Sequence, residues 1–134
     1  MNLADVMQQI ADRLDSIPSL NAHAFPSYRV SPPSAVVSFP VSYTYDSTYG
    51  RGSDRMTLPV VVLVGSVDDR TTRDRIGRYV DGSGSESVKE VVESGTYTAF
   101  DSVRVVDVEF DRVNVAGDDY LSATFNLDIV GRGS

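Results

Sequence analysis

The sequence predicts an α+β domain, in which helices pack on one face of an antiparallel or mixed sheet of about four strands. The predicted order of elements is α-β-β-α-α-β-β. Valine dominates the apolar residues, and its branched side chain favours strands. Apolar residues recur at helical spacing over residues 3–17, whereas Tyr120 to Val130 alternates apolar and polar residues, as a half-buried strand does. A length of 134 residues fits one domain, residues 1–134.

The N-terminal region is predicted to contain a helix, an irregular segment and a first strand. The helix over 3–17 ends before Pro18, because a proline disfavours helical backbone in the preceding residue. Residues 20–33 show no sustained period and are expected to be irregular. Ser34 to Tyr45 is expected to form a strand that lies at an edge or is bulged at Pro40, which has no N–H to donate.

A second strand is predicted from Met56 to Gly65, after a polar loop over residues 46–55. Within this strand, Val60 to Val64 does not alternate with polar residues, which predicts burial on both faces. Such a strand lies at the centre of the monomer's sheet or is covered by a neighbouring subunit, and the sequence leaves both arrangements open.

Two short helices are predicted between the two pairs of strands. Asp68 or Asp69 is expected to cap a helix over 70–80, and Ser85 is expected to cap a second helix that ends at Ser94. The residues expected to face inward are Ile76 and Tyr79 in the first helix and Val88, Val91 and Val92 in the second.

The C-terminal region is predicted to be a hairpin. A strand over Ser102 to Val115 is followed by a turn at Ala116 to Asp119 and then by the alternating strand. Alternation in the first of these strands predicts two opposite faces. One face carries Val106, Val108 and Phe110, and the other carries an acidic stripe of Asp107, Glu109 and Asp111.

The charge distribution argues against binding to nucleic acid. The net charge is −7 and no basic tail is present, whereas contacts to phosphates need clustered lysine and arginine. Residues 101–119 hold six acids and two arginines, and residues 51–80 hold six arginines and four aspartates. An acidic region and an arginine-rich region in one chain allow copies of the chain to associate head to tail. A surface on which charges are scattered by chance would show the same numbers of acids and arginines.

Cofactor chemistry and catalysis are not expected. The chain has no cysteine and one histidine, His23, which lies in a proline-rich segment without metal-ligand or triad partners. Gly117-Asp118-Asp119 resembles a polymerase motif but fits a hairpin turn. Gly82 to Ser85 lacks the lysine of a phosphate-binding loop and fits a linker between helices. A calcium site made of carboxylates alone at Asp68-Asp69 or Asp118-Asp119 stays an open alternative, although the sequence contains no twelve-residue calcium loop. We therefore predict no enzyme activity, no cofactor and no metal.

The segment from Tyr43 to Arg55 has the composition of a docking surface. Aromatic residues and arginines are enriched in protein interfaces, and glycines make the segment adaptable. The candidate interface residues are Tyr43, Tyr45, Tyr49, Arg51, Asp54 and Arg55. Tyr43 and Tyr45 share a strand face, and buried tyrosines with hydrogen-bonded hydroxyl groups remain an equal alternative.

The order of motifs resembles that of tail-terminator proteins, the tail-completion or minor tail proteins of long-tailed bacteriophages, especially phages of actinobacteria. The resemblance covers most of the chain, and no single motif is diagnostic. The shared pattern is a helix ending in Ile17-Pro18-Ser19-Leu20, a Pro-Pro-x-Ala-Val-Val strand at Pro32 to Val37, a loop at Arg51 to Arg55, a valine-rich strand and a helix start at Gly82 to Lys89.

The resemblance implies a structural protein of the virion. It would form a homohexameric ring at the head-proximal end of the tail tube, stop tube polymerisation and join the tail to the head connector. Its partners would be other copies of itself, the major tail-tube protein and the connector or neck protein. The genome would pass through the ring without specific binding. The acidic stripe would then line the channel and repel DNA, or face solvent on the outside.

Two alternatives remain open at this point. A head-closure or neck connector protein of the same joint would share the pattern, and gene order beside the portal rather than the tail-tube gene would favour it. A small hydrolase or nucleotide-binding protein is a remote alternative.

The longest apolar run, Val60 to Val64, is far shorter than the roughly 20 residues that span a bilayer. No signal peptide is recognisable at the N-terminus, so we expect assembly in the host cytoplasm without membrane contact.

Overall fold

The computed structural model of the protein describes residues 2–17, 20–23, 33–45, 53–67, 70–115 and 117–132. These residues form three helices and six strands. The helices are α1 (Leu3–Leu14), α2 (Arg70–Val80) and α3 (Val88–Glu93). The strands are β1 (Asn21–His23), β2 (Ser34–Val37), β3 (Ser42–Thr44), β4 (Ser53–Ser66), β5 (Ser102–Val115) and β6 (Asp118–Arg132).

The six strands form one mixed sheet, in the order β1-β2-β4-β6-β5, with β3 also paired to β4. Strands β1 and β2 run parallel, and every other described pair is antiparallel. The α+β class is therefore confirmed. The prediction of about four strands is wrong, because β1 occupies part of the segment expected to be irregular and the predicted first strand is divided into β2 and β3.

The division between β2 and β3 is a bulge opposite the middle of β4. Val37 pairs with Val60 and Ser42 with Thr57, so four residues on one side face two on the other. Pro40 lies among those four, where its missing N–H breaks no ladder hydrogen bond. The predicted bulge is confirmed, and it leaves Phe39 and Val41 exposed, at 68% and 74%.

The core lies between the three helices and one face of the sheet, as predicted. Because successive strand residues point to opposite faces, alternate residues of β4 and β6 meet the helices. These buried residues are Met56, Leu58, Val60 and Val62 on β4, and Ala123, Phe125, Leu127 and Ile129 on β6. Helix α1 contributes Val6, Met7, Ile10, Ala11 and Leu14 to the same cluster.

Local signals explain the helix boundaries. Asn2 caps α1, since its side chain accepts a hydrogen bond from the Asp5 N–H at 3.1 Å. Helix α1 ends at Leu14 rather than at residue 17, and Ile17 is still buried. Helix α3 begins later than predicted. Its cap is Ser87, not Ser85, because the Ser87 hydroxyl accepts from the Glu90 N–H at 3.2 Å.

Inward-facing residues of α2 and α3 agree with the sequence pattern, with one difference. Tyr79 of α2 and the three valines of α3 are buried, whereas Ile76 is half-buried. Thr72 is buried where α2 crosses β4, and a Cβ atom added to Gly65 would lie 2.6 Å from the Thr72 hydroxyl oxygen. The absence of a side chain at Gly65 therefore lets α2 approach the sheet closely.

Candidate assembly surface on the open face of the sheet

The face of the sheet opposite the helices, here called the open face, is formed by the other set of alternating strand residues. Directly paired residues in antiparallel strands point to the same face. On β4, Thr57, Pro59 and Val61 are half-buried, and they pair with Asp128, Asn126 and Thr124 of β6. Strand β4 is central, as one interpretation of its valine run predicted, but the helices cover only one of its faces. Burial on both faces holds for only part of the valine run, since on the open face Leu63 is buried whereas Val61 is half-buried.

A β-bulge in β5 changes which residues reach the open face. Val105 pairs with Leu127, but the next pair joins Asp107 to Asn126, so Val106 is the extra residue. Val108 and Phe110 pair with Phe125 and Ala123 on the helix-covered face. The prediction that Val106 shares their face is wrong, because the bulge displaces it. Val106 is 54% exposed and lies beside the open face.

Helix α3 holds the bulge in place. The Val105 N–H donates to Glu93 Oε2 at 2.8 Å, and Lys89 Nζ lies 2.7 Å from the same oxygen. Partial burial by itself would raise the pKa of the Glu93 carboxyl, but the hydrogen bonds from Lys89 and the Val105 N–H outweigh it and lower the pKa. The ionised carboxylate thus connects the helix layer to the bulged edge strand.

The predicted acidic stripe is a real feature of the open face. Asp107, Glu109 and Asp111 pair with Asn126, Thr124 and Ser122 in register, which places all three carboxylates on the same side. All three residues are exposed. Asn126 Nδ2 donates to Asp107 Oδ1 at 2.6 Å and orients that carboxylate. Whether this stripe faces a channel depends on the assembly and stays a prediction.

Apolar and acidic side chains meet in an open depression of about 460 Å³ on this face. Val41 and Val106 supply exposed apolar surface, and Asp107, Glu109 and Asp128 supply carboxylates. Thr57, Asn126 and Leu127 complete the lining. Arg55 Nε lies 3.4 Å from Asp128 Oδ1 and partly neutralises it. This combination suits a protein surface that carries positive charges on apolar stems.

The four described members of the predicted docking surface do not all lie on one face. Tyr43 pairs with Met56 on the helix-covered face, and its hydroxyl donates to Asp54 Oδ2 at 2.9 Å. Burial, together with the hydrogen bond to Asp54, raises the pKa of Tyr43 to about 12. The Tyr45 ring lies 4.9 Å from that of Tyr43, which confirms that they share a face. Arg55 is on the open face. Tyr49 and Arg51 lie outside the described residues.

Sequence reasoning missed Val41 and Val106 as members of the candidate surface. Val41 follows the proline in the bulge between β2 and β3, and Val106 is the extra residue of the β5 bulge. Strict alternation would place Val106 with the core residues. The proline gave a signal for the first bulge, and no residue of β5 gives one for the second.

The motifs that resemble catalytic or phosphate-binding sequences have structural roles where the structure describes them. Gly117 adopts a positive φ of 88° in the turn of the β5–β6 hairpin, and Asn114 Nδ2 donates to Asp119 Oδ1 at 3.0 Å. In the Gly82 to Ser85 linker, the Gly84 N–H donates to the Glu90 carboxylate. Asp68 and Asp69 lie outside the described residues, as does the side chain of His23.

Neither a metal-binding cluster nor a helix able to span a membrane is found among the described residues. No group of three or more histidine and carboxylate side chains there is placed to hold a metal ion. None of the described helices combines the length and apolar character that crossing a membrane requires. Comparison with known proteins gave no match, either to a protein-family model or to a curated sequence. The open face combines exposed apolar and charged side chains, as protein-binding surfaces do.

Proposed function

We propose that the protein is a structural component of a long-tailed bacteriophage virion, a tail terminator that forms a homohexameric ring at the head-proximal end of the tail tube. The observation that carries this proposal is the one-sided packing of the sheet. One face buries the core, and the other presents exposed Val41 and Val106 beside carboxylates. A mixed apolar and charged surface of this kind is typical of protein contacts. The motif order adds the resemblance to tail terminators.

The proposed mechanism needs no chemical step. One side of the ring matches the last ring of the tail-tube protein, and the other side does not reproduce that matching surface, so polymerisation stops. The head connector then binds the side left free. The genome passes through the ring without specific contacts, consistent with a net charge of −7, which disfavours adhesion to phosphate.

The proposal is tested by removing the gene and by locating the protein in the particle. Without the protein, negative-stain images should show tail tubes of variable and excessive length that carry no heads. In complete particles, an epitope label on the protein should mark one position, at the head-proximal end of the tube. Tubes of normal length in its absence, or labels along the whole tube, would contradict the proposal. Labels on the connector of isolated heads would favour the neck-protein alternative.

A further inference from the structure

Helix α2 carries a set of arginines that the described chain does not neutralise. It contains four arginines and one acid, Asp74. Arg78 pairs with Glu86 at 2.7 Å, whereas Arg70 and Arg73 are exposed and form no salt bridge with another described residue. Arg70 and Arg73 are three residues apart, so they project from the same side of the helix, with Cβ atoms about 5–6 Å apart.

The open face carries the opposite charge, also unneutralised. Glu109 and Asp111 are exposed and form no salt bridge within the described chain, and Asp107 bonds only to the neutral Asn126. Alternate residues of a strand are about 6.6 Å apart, which is close to the spacing of the arginine pair. Opposite charges with similar spacing therefore occur on two different surfaces.

These two surfaces cannot meet within one copy. Helix α2 packs on the helix-covered face, where Thr72 and Tyr79 are buried, so its exposed arginines lie on the far side of the core from the acidic stripe. Between two copies, however, the outer side of α2 can reach an open face. A contact between different surfaces of identical subunits is heterologous, and it repeats around a ring when the rotation closes.

We propose that the open-face depression of one copy receives the Arg70 and Arg73 side of helix α2 from a second copy. The guanidinium groups would pair with the carboxylates of Asp107, Glu109 and Asp111, and the methylene stems would cover Val41 and Val106. This contact rests on the proposed function, since it describes how subunits of the ring join. It also gives the acidic stripe a place in the subunit contact rather than in the channel.

Disulfide trapping tests this contact directly, because the chain has no cysteine of its own. A phage carrying the double variant Arg73→Cys/Glu109→Cys should yield, after mild oxidation of complete particles, a ladder of cross-linked species up to six copies on a non-reducing gel. The matched control is Gln8→Cys/Glu109→Cys, in which Gln8 is exposed on the outer side of α1. The control pair should give no ladder.

Charge reversal provides a second test that does not depend on cysteine geometry. Arg70→Glu/Arg73→Glu and Asp107→Lys/Glu109→Lys/Asp111→Lys should each lower the yield of tail-bound rings by about tenfold or more, as like charges then face each other. The two sets combined in one chain should restore the yield. Asp101→Lys, which reverses an exposed charge outside the stripe, should leave the yield unchanged.

The outcomes separate this contact from the proposed function. The contact would be overturned if rings were present at the tail end, gave no ladder of cross-linked species and formed normally after either charge reversal. The terminator proposal would then still stand. Normal rings with altered DNA ejection after reversal of the acids would likewise overturn the contact and favour a channel lining. A ladder in particles whose label lies away from the tail end would support the contact and contradict the terminator function.

Discussion

The two faces of the sheet are built from the same strands but have different roles. On the helix-covered face, Leu58, Phe125 and Leu127 are almost fully buried. On the open face, the neighbouring residues Thr57, Asn126 and Asp128 are only half-buried, beside an exposed acidic stripe. Because adjacent strand residues point to opposite faces, one sequence supplies both surfaces. Most of the buried core thus lies on one face, whereas the other face is exposed along the acidic stripe and buried only around Leu63 and Ser122.

The largest difference between the faces should appear when a core residue and its sequence neighbour are truncated in turn. Phe125→Ala removes an aromatic ring that is 2% exposed and should lower the free energy of unfolding by about 3–5 kcal/mol. Thr124→Ala, one residue away on the open face, should change it by about 1 kcal/mol or less, since this half-buried residue only loses strand propensity. Urea denaturation of both variants checks this, and equal losses would show that the open face is also packed within the monomer.

A smaller effect is expected where α2 meets the sheet. Gly65→Ala places a methyl group within 2.6 Å of the Thr72 hydroxyl oxygen and should lower stability by about 1–3 kcal/mol. In the double variant Gly65→Ala/Thr72→Ala the conflicting oxygen is gone, so most of the loss should be recovered. Thermal denaturation of the two single variants and the double variant measures this coupling. If the stability losses of the two single variants simply added in the double variant, the methyl group at residue 65 would not be in conflict with the Thr72 side chain.

The link between α3 and the β5 bulge should contribute less, and its contribution should depend on pH. Glu93→Gln removes the negative charge that accepts from Lys89 and the Val105 N–H, and should lower stability at neutral pH by about 1 kcal/mol. The folded-state pKa of Glu93 lies below its ordinary value of 4.5. The stabilisation is therefore complete above pH 4.5 and is lost as the pH falls through the folded-state pKa.

Denaturation curves of Glu93→Gln and the natural chain between pH 7 and about pH 3 test this prediction. The stability difference should shrink steadily as the pH falls below 4.5, because the carboxyl group becomes protonated first in the unfolded chain and then in the folded chain. A difference that persists unchanged across this range would show that the charge of Glu93 does not hold the bulge.

The smallest effect on stability should follow neutralisation of the open face. Asp107→Asn/Glu109→Gln/Asp111→Asn changes only exposed side chains, so the free energy of unfolding should shift by about 0.5 kcal/mol or less. Reduced repulsion among the three carboxylates favours a slight increase. Urea denaturation at low salt measures the shift. A loss comparable to that of Phe125→Ala would show that the stripe supports the fold rather than a partner.

The sequence predicted the parts of the fold that have long periodic patterns. The apolar stripe of α1, the alternation in β6 and the α+β class all follow from local periodicity, and the structure confirms them. Strand β1 was missed because three residues are too short to show a period. Its pairing with β2 depends on tertiary contacts.

The candidate site was harder to predict than the fold, because small register changes decide which face a side chain reaches. The acids of the stripe were placed together correctly, but the bulge moved Val106 to join them. Asp54 and Arg55 were assigned to a loop, whereas β4 begins at Ser53 and directs these neighbours to opposite faces. A strand that starts a few residues earlier than expected thus divided the predicted docking surface in two.

The most direct test of an assembly role for the open face is carbodiimide labelling of carboxylates, read residue by residue with mass spectrometry. We expect Asp107, Glu109 and Asp111 to be modified rapidly in the purified protein, where they are exposed. In complete virions these three residues should be strongly protected, while Asp12 on the outer side of α1 keeps its labelling rate. Equal modification of the open-face carboxylates in both states would contradict the assembly role of this surface.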